Sequence, residues 1–426
     1  MRKIVASLLI LPLLLLFGVI YYNSVITEET YRAQIEQLNR NYPGFLQLQL
    51  VDYQRGLLQS DAQLALQLQN QQPLALTQQL QHLFWGLTIT TRLAKDSPLA
   101  LELAKQLPLA DLQLVTEIAL SGASQTRFAL PFAEFAFEDS RMSFKDLNFN
   151  FNLNGQLSNA VVGLQLGELE LQEQLSSLRL SGLAFNSQLT ELQGLPLGAG
   201  ELTLAQFSVS AAEQPAFELK ELRYQVATRL EGEMVSSALN LTLAELALLN
   251  EKFHAAELKL ALAGLDAATL RSVQQSAKQL QTDFLAGQVD PLLLQLQLFG
   301  LFSQLFRDGI SLTLERLALQ TAEGSLNGQG GVSLVGVGPL SFERLKADLL
   351  LELDSGAFAT LFRLVDSLQR DGQPAENRAV LTEQAEQLAG AFIQKGLLSR
   401  RADGGYRSEL KIANGSAELN GTPFNL

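Results

Sequence analysis

The feature that most constrains this chain is an alternation of leucine with polar residues, repeated along most of its length. It is clearest in LQLQLVDYQRGLLQSDAQLALQLQ at residues 46–69, and it recurs near residues 149–153, 258–262 and 312–319. Successive side chains of a strand point to opposite faces of a sheet, so a period of two predicts one apolar face and one polar face. The sequence therefore favours long antiparallel strands that are covered on one side.

Turn signals divide these runs. Residues 46–69 predict a hairpin of two strands of about nine residues each. Glycine accepts a positive φ, so glycine-containing pairs elsewhere predict further tight turns between strands. These pairs are Asn154-Gly155, Ser181-Gly182, Glu323-Gly324, Asn327-Gly328, Asp403-Gly404, Asn414-Gly415 and Asn420-Gly421.

Helices are predicted in the second half of the chain, each after an aspartate that can cap it. Asp266 follows a strand and precedes a helix to about residue 285, and Asp354 stands in the same position before a helix to about residue 370. Asp290, with proline at the next position, begins another helix that runs to about residue 307. A last helix is predicted at 376–395. The recurring unit of strand, aspartate and helix indicates a weak internal repeat.

The amino terminus carries an apolar run. Arg2 and Lys3 precede 19 uncharged and mostly apolar residues, 4–22, which as a helix would span about 28 Å, close to the thickness of a bilayer core. This length predicts a retained transmembrane signal anchor. The alternative is a cleaved signal peptide, which is normally shorter and ends in small residues. The residues taken to mark the anchor are Ile4, Leu14, Phe17 and Tyr22.

The segment after this run predicts orientation and a stalk. Basic residues precede the run and acidic residues follow it, which places most of the chain outside the cytoplasm. Tyr31, Ile35, Leu38 and Tyr42 recur at helical spacing and end at Pro43, so they predict a short amphipathic stalk helix. Its stripe either packs on the following domain or forms a homodimer contact.

These predictions define an α+β fold with four regions. They are a transmembrane anchor at 1–23, a stalk helix at 24–43, a mainly antiparallel β domain at 44–256, and a region of strand and helix repeats with a C-terminal β-hairpin at 257–426. Helices are expected to cover part of one face of long meander sheets.

Composition excludes several classes of site. The chain has no cysteine, two histidines and a formal net charge of -13, which disfavours disulfides, histidine zinc sites and nucleic-acid binding. His82 and His254 lie in no recognisable serine-containing motif. Carboxylate pairs such as Glu168 and Glu170 are typical of solvated strand faces. We therefore predict no enzymatic activity, no catalytic residues, no cofactor and no metal, and no nucleic-acid partner.

Two stretches carry a family likeness. The eight residues from Tyr53 to Ser60, YQRGLLQS, resemble a hairpin near the amino terminus of the YdgA-like family of bacterial envelope proteins. Within this stretch, the residues that carry the likeness are Tyr53, Arg55, Gly56 and Ser60. The C-terminal stretch with Asn420 and Gly421 is similar to the closing hairpin of that family. Many relatives have a His-Gly-Pro turn where this chain has Gln81-His82-Leu83.

The resemblance implies a fold and a location. A YdgA-like protein would be a single-pass inner-membrane protein of the Gram-negative envelope, with the bulk of its chain in the periplasm and no defined biochemical activity. The anchor-first layout more loosely resembles AsmA-like envelope proteins, for which lipid handling along a hydrophobic groove is proposed.

One predicted helix, residues 291–306, is apolar nearly all round. Such a helix is either buried or in contact with lipid. Its candidate apolar ligand face consists of Leu294, Leu298, Phe302 and Phe306.

Two functions follow from these features. In the first, a non-enzymatic inner-membrane protein binds or guides lipid, or another amphipathic client, on an apolar sheet face. In the alternative, a periplasmic scaffold with a filled core and no ligand self-associates through its stalk.

Overall fold

The computed structural model describes most of the chain between residues 24 and 424. The described ranges are 24–37, 39–40, 46–68, 73–97, 100–101, 112–137, 140–156, 158–192, 195–211, 214–249, 251–285, 300–301, 304–307, 309–338, 341–369 and 378–424. Antiparallel strands dominate and helices are fewer, which confirms the predicted α+β class. The chain forms two compact units: unit 1 takes residues 1–135, 144–165 and 278–294, and unit 2 takes the rest.

Unit 1 contains helix α1, residues 24–37, and a meander of strands. The strands are β1 (Leu46–Gln54), β2 (Gln59–Leu68), β3 (Leu74–Leu83), β4 (Gly86–Leu93), β5 (Gln113–Ala119), most of β6 (Ser124–Phe137) and β7 (Ser140–Leu153), and the start of β8 (Asn159–Glu173). From β1 to β6, each strand pairs antiparallel with the next one in sequence.

The hairpin predicted at residues 46–69 is confirmed. Its strands have 9 and 10 residues, and they pair in register from Leu46 with Leu68, with one irregularity between Leu50 and Asp52. Leu64 and Leu80 are buried in the neighbouring strands, and Ile35 is buried on α1. The alternation therefore puts its leucines on the side that the core of unit 1 occupies.

Unit 2 contains the longer strands. They are β9 (Ser176–Leu192), β10 (Leu195–Ala211), β11 (Gln214–Glu231), β12 (Met234–Leu248), β13 (Glu251–Asp266), β14 (Ile310–Thr321), β15 (Gly324–Leu334), β16 (Leu345–Leu353), β17 (Ser399–Arg400), β18 (Tyr406–Ala413), β19 (Ser416–Leu419) and β20 (Thr422–Phe424). Strands β9 to β16 pair in chain order, and β18 then pairs with β16.

Helix α2 (Ala267–Leu285) accompanies these strands up to residue 277, and helices α3 (Ser355–Gln369) and α4 (Arg378–Gln394) also accompany them. The first residue of α2, Ala267, packs with Leu195, Leu197 and Val235. Phe358 of α3 has its ring centroid 5.4 Å from that of Tyr406 on β18. The helices thus pack near the ends of the long strands.

Two predicted turns are wrong. Asn327-Gly328 lies inside β15, where a Cβ on Gly328 would come within 3.3 Å of the Leu317 side chain. Ser181-Gly182 lies inside β9, where Gly182 has a φ of +65° and an added Cβ would meet Ala205. In both places glycine makes room for a neighbouring strand instead of turning the chain.

Some predictions concern residues outside the described ranges, and one predicted domain boundary falls inside a strand. The anchor markers Ile4, Leu14, Phe17 and Tyr22 precede the described chain, and within the described chain no helix is long and apolar enough to cross a bilayer. The domain boundary placed at residue 256 falls within β13, which is paired on both sides.

Candidate functional site

An extended apolar surface of unit 2 is formed by a row of residues that crosses eight strands. Cross-strand pairing places one residue of each strand from β9 to β16 in line. This leucine row consists of Phe185, Leu202, Tyr224, Leu241, Leu258, Leu317, Gly328 and Leu351. Its seven side chains are partly exposed, and Gly328 alone is buried, so the row is not a filled core.

A second row runs beside the first on the same face. It consists of Val226, Leu239, Leu260, Leu314, Gly330, Leu349 and Leu410, which pair in that order from β11 to β18 and are all partly exposed. At about 4.8 Å per strand, the seven spacings of the leucine row extend about 34 Å. The two rows make a continuous apolar strip.

The opposite face of the same strands is polar. Arg223 Nε lies 2.5 Å from Glu201 Oε1 across β10 and β11. On β13, Glu257 pairs with Lys259 at 2.6 Å and with Arg316 of β14 at 2.8 Å. The hydrogen bond from Lys259 is the main cause that lowers the pKa of Glu257. This face is solvated, so the two faces of the sheet differ sharply in character.

An ionic cluster anchors the helices of unit 2 at the turns. Arg363 of α3 is 3% exposed, and its guanidinium donates to Glu251 at 2.7 Å and 3.2 Å and to Glu323 at 3.0 Å. Arg378 of α4, which is far more exposed, donates to Glu323 at 2.8 Å. Glu251, at the β12–β13 turn, and Glu323, at the β14–β15 turn, thereby link these turns to α3 and α4.

Unit 1 buries a neutral polar cluster instead, formed by Ser24, Gly56, Ser60 and His82. Ser24 Oγ donates to the Gly56 carbonyl at 2.8 Å, and the Gly56 N–H donates to Ser60 Oγ at 3.2 Å. Ser60 Oγ lies 2.8 Å from His82 Nε2. Ser60 is fully buried and His82 is 2% exposed, and this burial lowers the pKa of His82.

The hydroxyl and imidazole of this cluster do not complete a triad. His82 Nδ1 is buried and has no hydrogen-bond partner in the described part of the chain, so no carboxylate orients the ring there. Nor do three potential metal ligands gather anywhere among the described residues. The cluster joins α1 to the β1–β2 turn.

A cavity of ≈ 370 Å³ lies beside this cluster in unit 1. Its walls come from α1, β3, β4 and the β5–β6 turn, and the lining includes Tyr31, His82, Leu87 and Leu120. Tyr31 donates from its hydroxyl to Gln78 at 2.5 Å, and burial raises the pKa of Tyr31. The predicted stalk stripe therefore faces the sheet of its own unit at Tyr31, whereas Leu38 and Tyr42 lie outside the described residues.

The marker hairpins have local structural roles. A Cβ on Gly56 would lie 2.0 Å from the Gln59 carbonyl oxygen, so the turn accepts glycine alone. Arg55 lies 3.8 Å from Glu28 of α1, and burial raises the pKa of Tyr53. Asn420 and Gly421 form the β19–β20 turn with φ values of 52° and 76°.

The three predicted caps have different outcomes. Asp266 caps α2, because its Oδ1 accepts the Thr269 N–H at 2.7 Å, and this bond lowers its pKa. Asp354 precedes α3, but its Oδ2 accepts from Ser325 N and Oγ at 2.8 Å and 2.9 Å. Asp290 lies outside the described residues.

Most of the candidate apolar ligand face lies outside the described residues. Leu294, Leu298 and Phe302 lie outside the described residues, and Phe306 is a partly buried turn residue whose carbonyl accepts the Gly309 N–H at 3.4 Å.

The partners of His82 and Arg363 were not predicted, although both residues had a weak signal. His82 follows Leu80 at the strand period of two, so it shares the buried side of β3. Arg363 is the one cation of α3, SGAFATLFRLVDSLQ, and it lies between apolar neighbours, Phe362 and Leu364. A charge inside an apolar helix stripe indicates a buried ionic partner.

The fold and these surfaces define a protein built mainly of antiparallel sheet. The chain belongs to the family described as "Bacterial protein of unknown function (DUF945)", whose model matches residues 1–426. No curated protein and no solved structure matches the chain.

Proposed function

We propose that this chain is a non-enzymatic protein of the bacterial inner membrane, anchored by residues 1–23 with its bulk in the periplasm, and that the apolar strip of unit 2 binds the acyl chains of lipid. The observation that carries the proposal is the leucine row, which is continuous over eight strands and whose side chains are partly exposed, with Gly328 alone buried. The resemblance to YdgA-like proteins, and the looser one to AsmA-like proteins, is in keeping with it.

The chemistry of the strip favours an alkyl ligand. From β9 to β16 the backbone donors and acceptors are used in pairing between strands, so the face presents side chains alone. Leucine and phenylalanine attract a ligand by removing apolar area from water and impose no directional contact. An acyl chain needs only such area, whereas a peptide strand needs a free sheet edge.

The length and polarity of the strip also favour an acyl chain as its ligand. Its extent of about 34 Å accommodates an extended lipid tail. The charged pairs of Glu201, Glu257 and their basic partners lie on the other face, so they do not interrupt the strip. A polar headgroup would remain in water at the margin of the sheet.

The test compares substitutions on the two faces of the same strands. Leu241→Gln with Leu258→Gln places two amides in the leucine row. Thr242→Gln with Lys259→Gln makes the matched change one residue further along β12 and β13, on the polar face. Binding of a fluorescent fatty acid to the full-length protein should weaken at least tenfold in the first variant, about 1.4 kcal/mol, and change little in the second.

Native mass spectrometry of the wild-type protein is expected to detect bound lipid after purification. A wild-type protein that carries no lipid and shows no saturable fatty-acid binding would overturn the proposal. If that protein also sediments as a stable oligomer, the scaffold function replaces it.

A further inference from the structure

Unit 1 exposes apolar side chains at the turns of one end of its sheet. Leu57 and Leu58 in the β1–β2 turn are 40% and 57% exposed, Phe84 and Trp85 in the β3–β4 turn are 51% and 56% exposed, and Leu120 in the β5–β6 turn is 66% exposed. Exposed large apolar side chains gathered in one place indicate an interaction surface, unlike those that are scattered. These five residues are called the turn tips below.

The turn tips form one surface because their turns lie side by side. Strands β1 to β6 alternate in direction, so these three turns fall at the same end of the sheet. The His82 N–H donates to the Leu58 carbonyl at 2.8 Å, and the Leu120 N–H donates to the Trp85 carbonyl at 3.2 Å. Four strand spacings separate the outer turns, which is about 19 Å.

The three turns have little charge and no acidic residue of their own, although Glu28 of α1 lies 3.8 Å from Arg55. Among residues 55–58, 84–85 and 120–123, Arg55 is the single charged residue, although the chain as a whole has a net charge of -13. Negatively charged phospholipid headgroups repel acidic residues and attract arginine. The composition of these turns therefore suits a lipid surface better than does the rest of the chain.

The apolar amino-terminal run joins the molecule at this same end. The run covers residues 4–22, and Ser24, two residues after it, donates from Oγ to the carbonyl of Gly56 in the β1–β2 turn at 2.8 Å. A bilayer that holds this run would thus meet the turn tips first. This continuity identifies the partner as the bilayer and distinguishes it from a second copy of the chain.

We propose that the turn tips insert into the interfacial layer of the membrane that anchors the chain, and that they fix how unit 1 stands on it. Tryptophan and phenylalanine favour the membrane interface, where an apolar ring meets both headgroups and acyl chains. The Phe84 and Trp85 rings pack edge to face with centroids 4.3 Å apart, so they enter as one unit. This inference rests on the membrane anchoring proposed above.

Trp85 provides a direct test because it is the single tryptophan of the chain. The full-length protein is reconstituted in vesicles of phosphatidylethanolamine and phosphatidylglycerol that contain lipids with a nitroxide at a shallow or a deep position. Shallow nitroxides should quench Trp85 at least twofold more strongly than deep ones, and the emission should be blue-shifted.

The matched control moves the probe to the other end of the strands. In Trp85→Phe with Leu101→Trp, the new tryptophan replaces a residue that is 56% exposed, as Trp85 is. Strand β4, whose 8 residues span roughly 26 Å, lies between the two positions along the chain, and Leu101 follows its far end. Neither nitroxide should quench this variant.

A second pair of variants tests the surface itself. Leu58→Ser with Leu120→Ser removes two turn tips and should reduce the quenching of Trp85 at least twofold. Val51→Ser with Phe132→Ser alters two side chains that are 60% and 51% exposed but lie within strands, and it should leave the quenching unchanged.

Three results would overturn the inference, each in a different way. A protein that floats with the vesicles but has an unquenched, solvent-exposed Trp85 contradicts the insertion of the turn tips alone. A protein that does not float with the vesicles contradicts both the anchoring and the insertion. A blue-shifted but unquenched Trp85 shows that protein, such as a second copy of the chain, covers the turn tips instead of lipid.

Discussion

The two units bury polar groups where a helix meets the ends of strands, but they do so with opposite chemistry. Unit 1 ties α1 to its sheet through neutral groups, with Ser60 bonded to His82 at 2.8 Å. Unit 2 ties α3 to its turns through charges, with Arg363 bonded to Glu251 at 2.7 Å. Neutral hydrogen bonds cost little to desolvate, whereas a buried ion pair is stable only while all its partners are present. We therefore expect the loss of one polar partner to lower the free energy of unfolding more in unit 2 than in unit 1.

The largest expected effect is in unit 2. Arg363→Met leaves Glu251 buried without its main partner, which should destabilise the unit by about 3–5 kcal/mol. Arg378→Met is the control, because its side chain is 61% exposed and such pairs contribute about 0–1 kcal/mol. Urea unfolding measures the stability of both variants, and hydrogen exchange of the β13 and β15 amides reports the loss within unit 2. Equal losses in the two variants would show that the cluster is not held by burial.

A smaller effect is expected in unit 1. Ser60→Ala removes the acceptor of the Gly56 N–H and the partner of His82 Nε2, which should destabilise the unit by about 1–3 kcal/mol. Ser121→Ala, at an exposed turn position, should change stability by less than about 0.5 kcal/mol. Hydrogen exchange of the β2 and β3 amides reports the difference. A loss as large as that of Arg363→Met would remove the contrast between the units.

The smallest effect concerns pH and sets unit 1 apart. Burial lowers the pKa of His82, so the unfolded chain, with a histidine pKa near 6.5, takes up a proton more readily than the folded one. Stability is then fully present above about pH 6.5 and is lost as the pH falls toward the folded-state pKa. Urea unfolding at about pH 7.5 and about pH 5.5 should show this loss in the wild-type protein.

The control for this pH dependence is the other histidine. His254→Gln should keep the loss on acidification, because His254 is partly exposed on β13. His82→Gln should reduce it. If both variants lose as much stability as the wild-type protein, carboxylates and not His82 cause the dependence.

Local patterns account for what could be predicted. The hairpin at residues 46–69 depends on alternation and a short connection, and the Asp266 cap depends on two residues three positions apart. Both structures are therefore predicted by residues that are close together in the sequence. The leucine faces were predicted for the same reason. Asn327-Gly328 resembled a turn because its second role, making room for Leu317 of another strand, depends on register and not on the local sequence.

The polar clusters depend on distant residues. Ser60 and His82 are 22 residues apart, and Glu251 and Arg363 are 112 apart. A single sequence does not show which of several strands and turns such groups will meet. Arg55, Gly56 and Ser60 carried a family resemblance, but the contact of Gly56 with Ser24, which joins α1 to the turn, became visible only in three dimensions.

The order of strand pairing has a consequence for how the protein is made. From β1 to β6 and from β9 to β16, each strand pairs with the one that follows it in sequence. Most of these connections are short, apart from those before β5 and β14, so hairpins can add one at a time during synthesis. Every partial chain then ends in an open strand edge, which is a template for aggregation. The last strands, β19 and β20, have 4 and 3 residues, and β20 contains Pro423. Short strands and proline blunt an edge, so a nascent chain gains this protection only once β19 and β20 have been made.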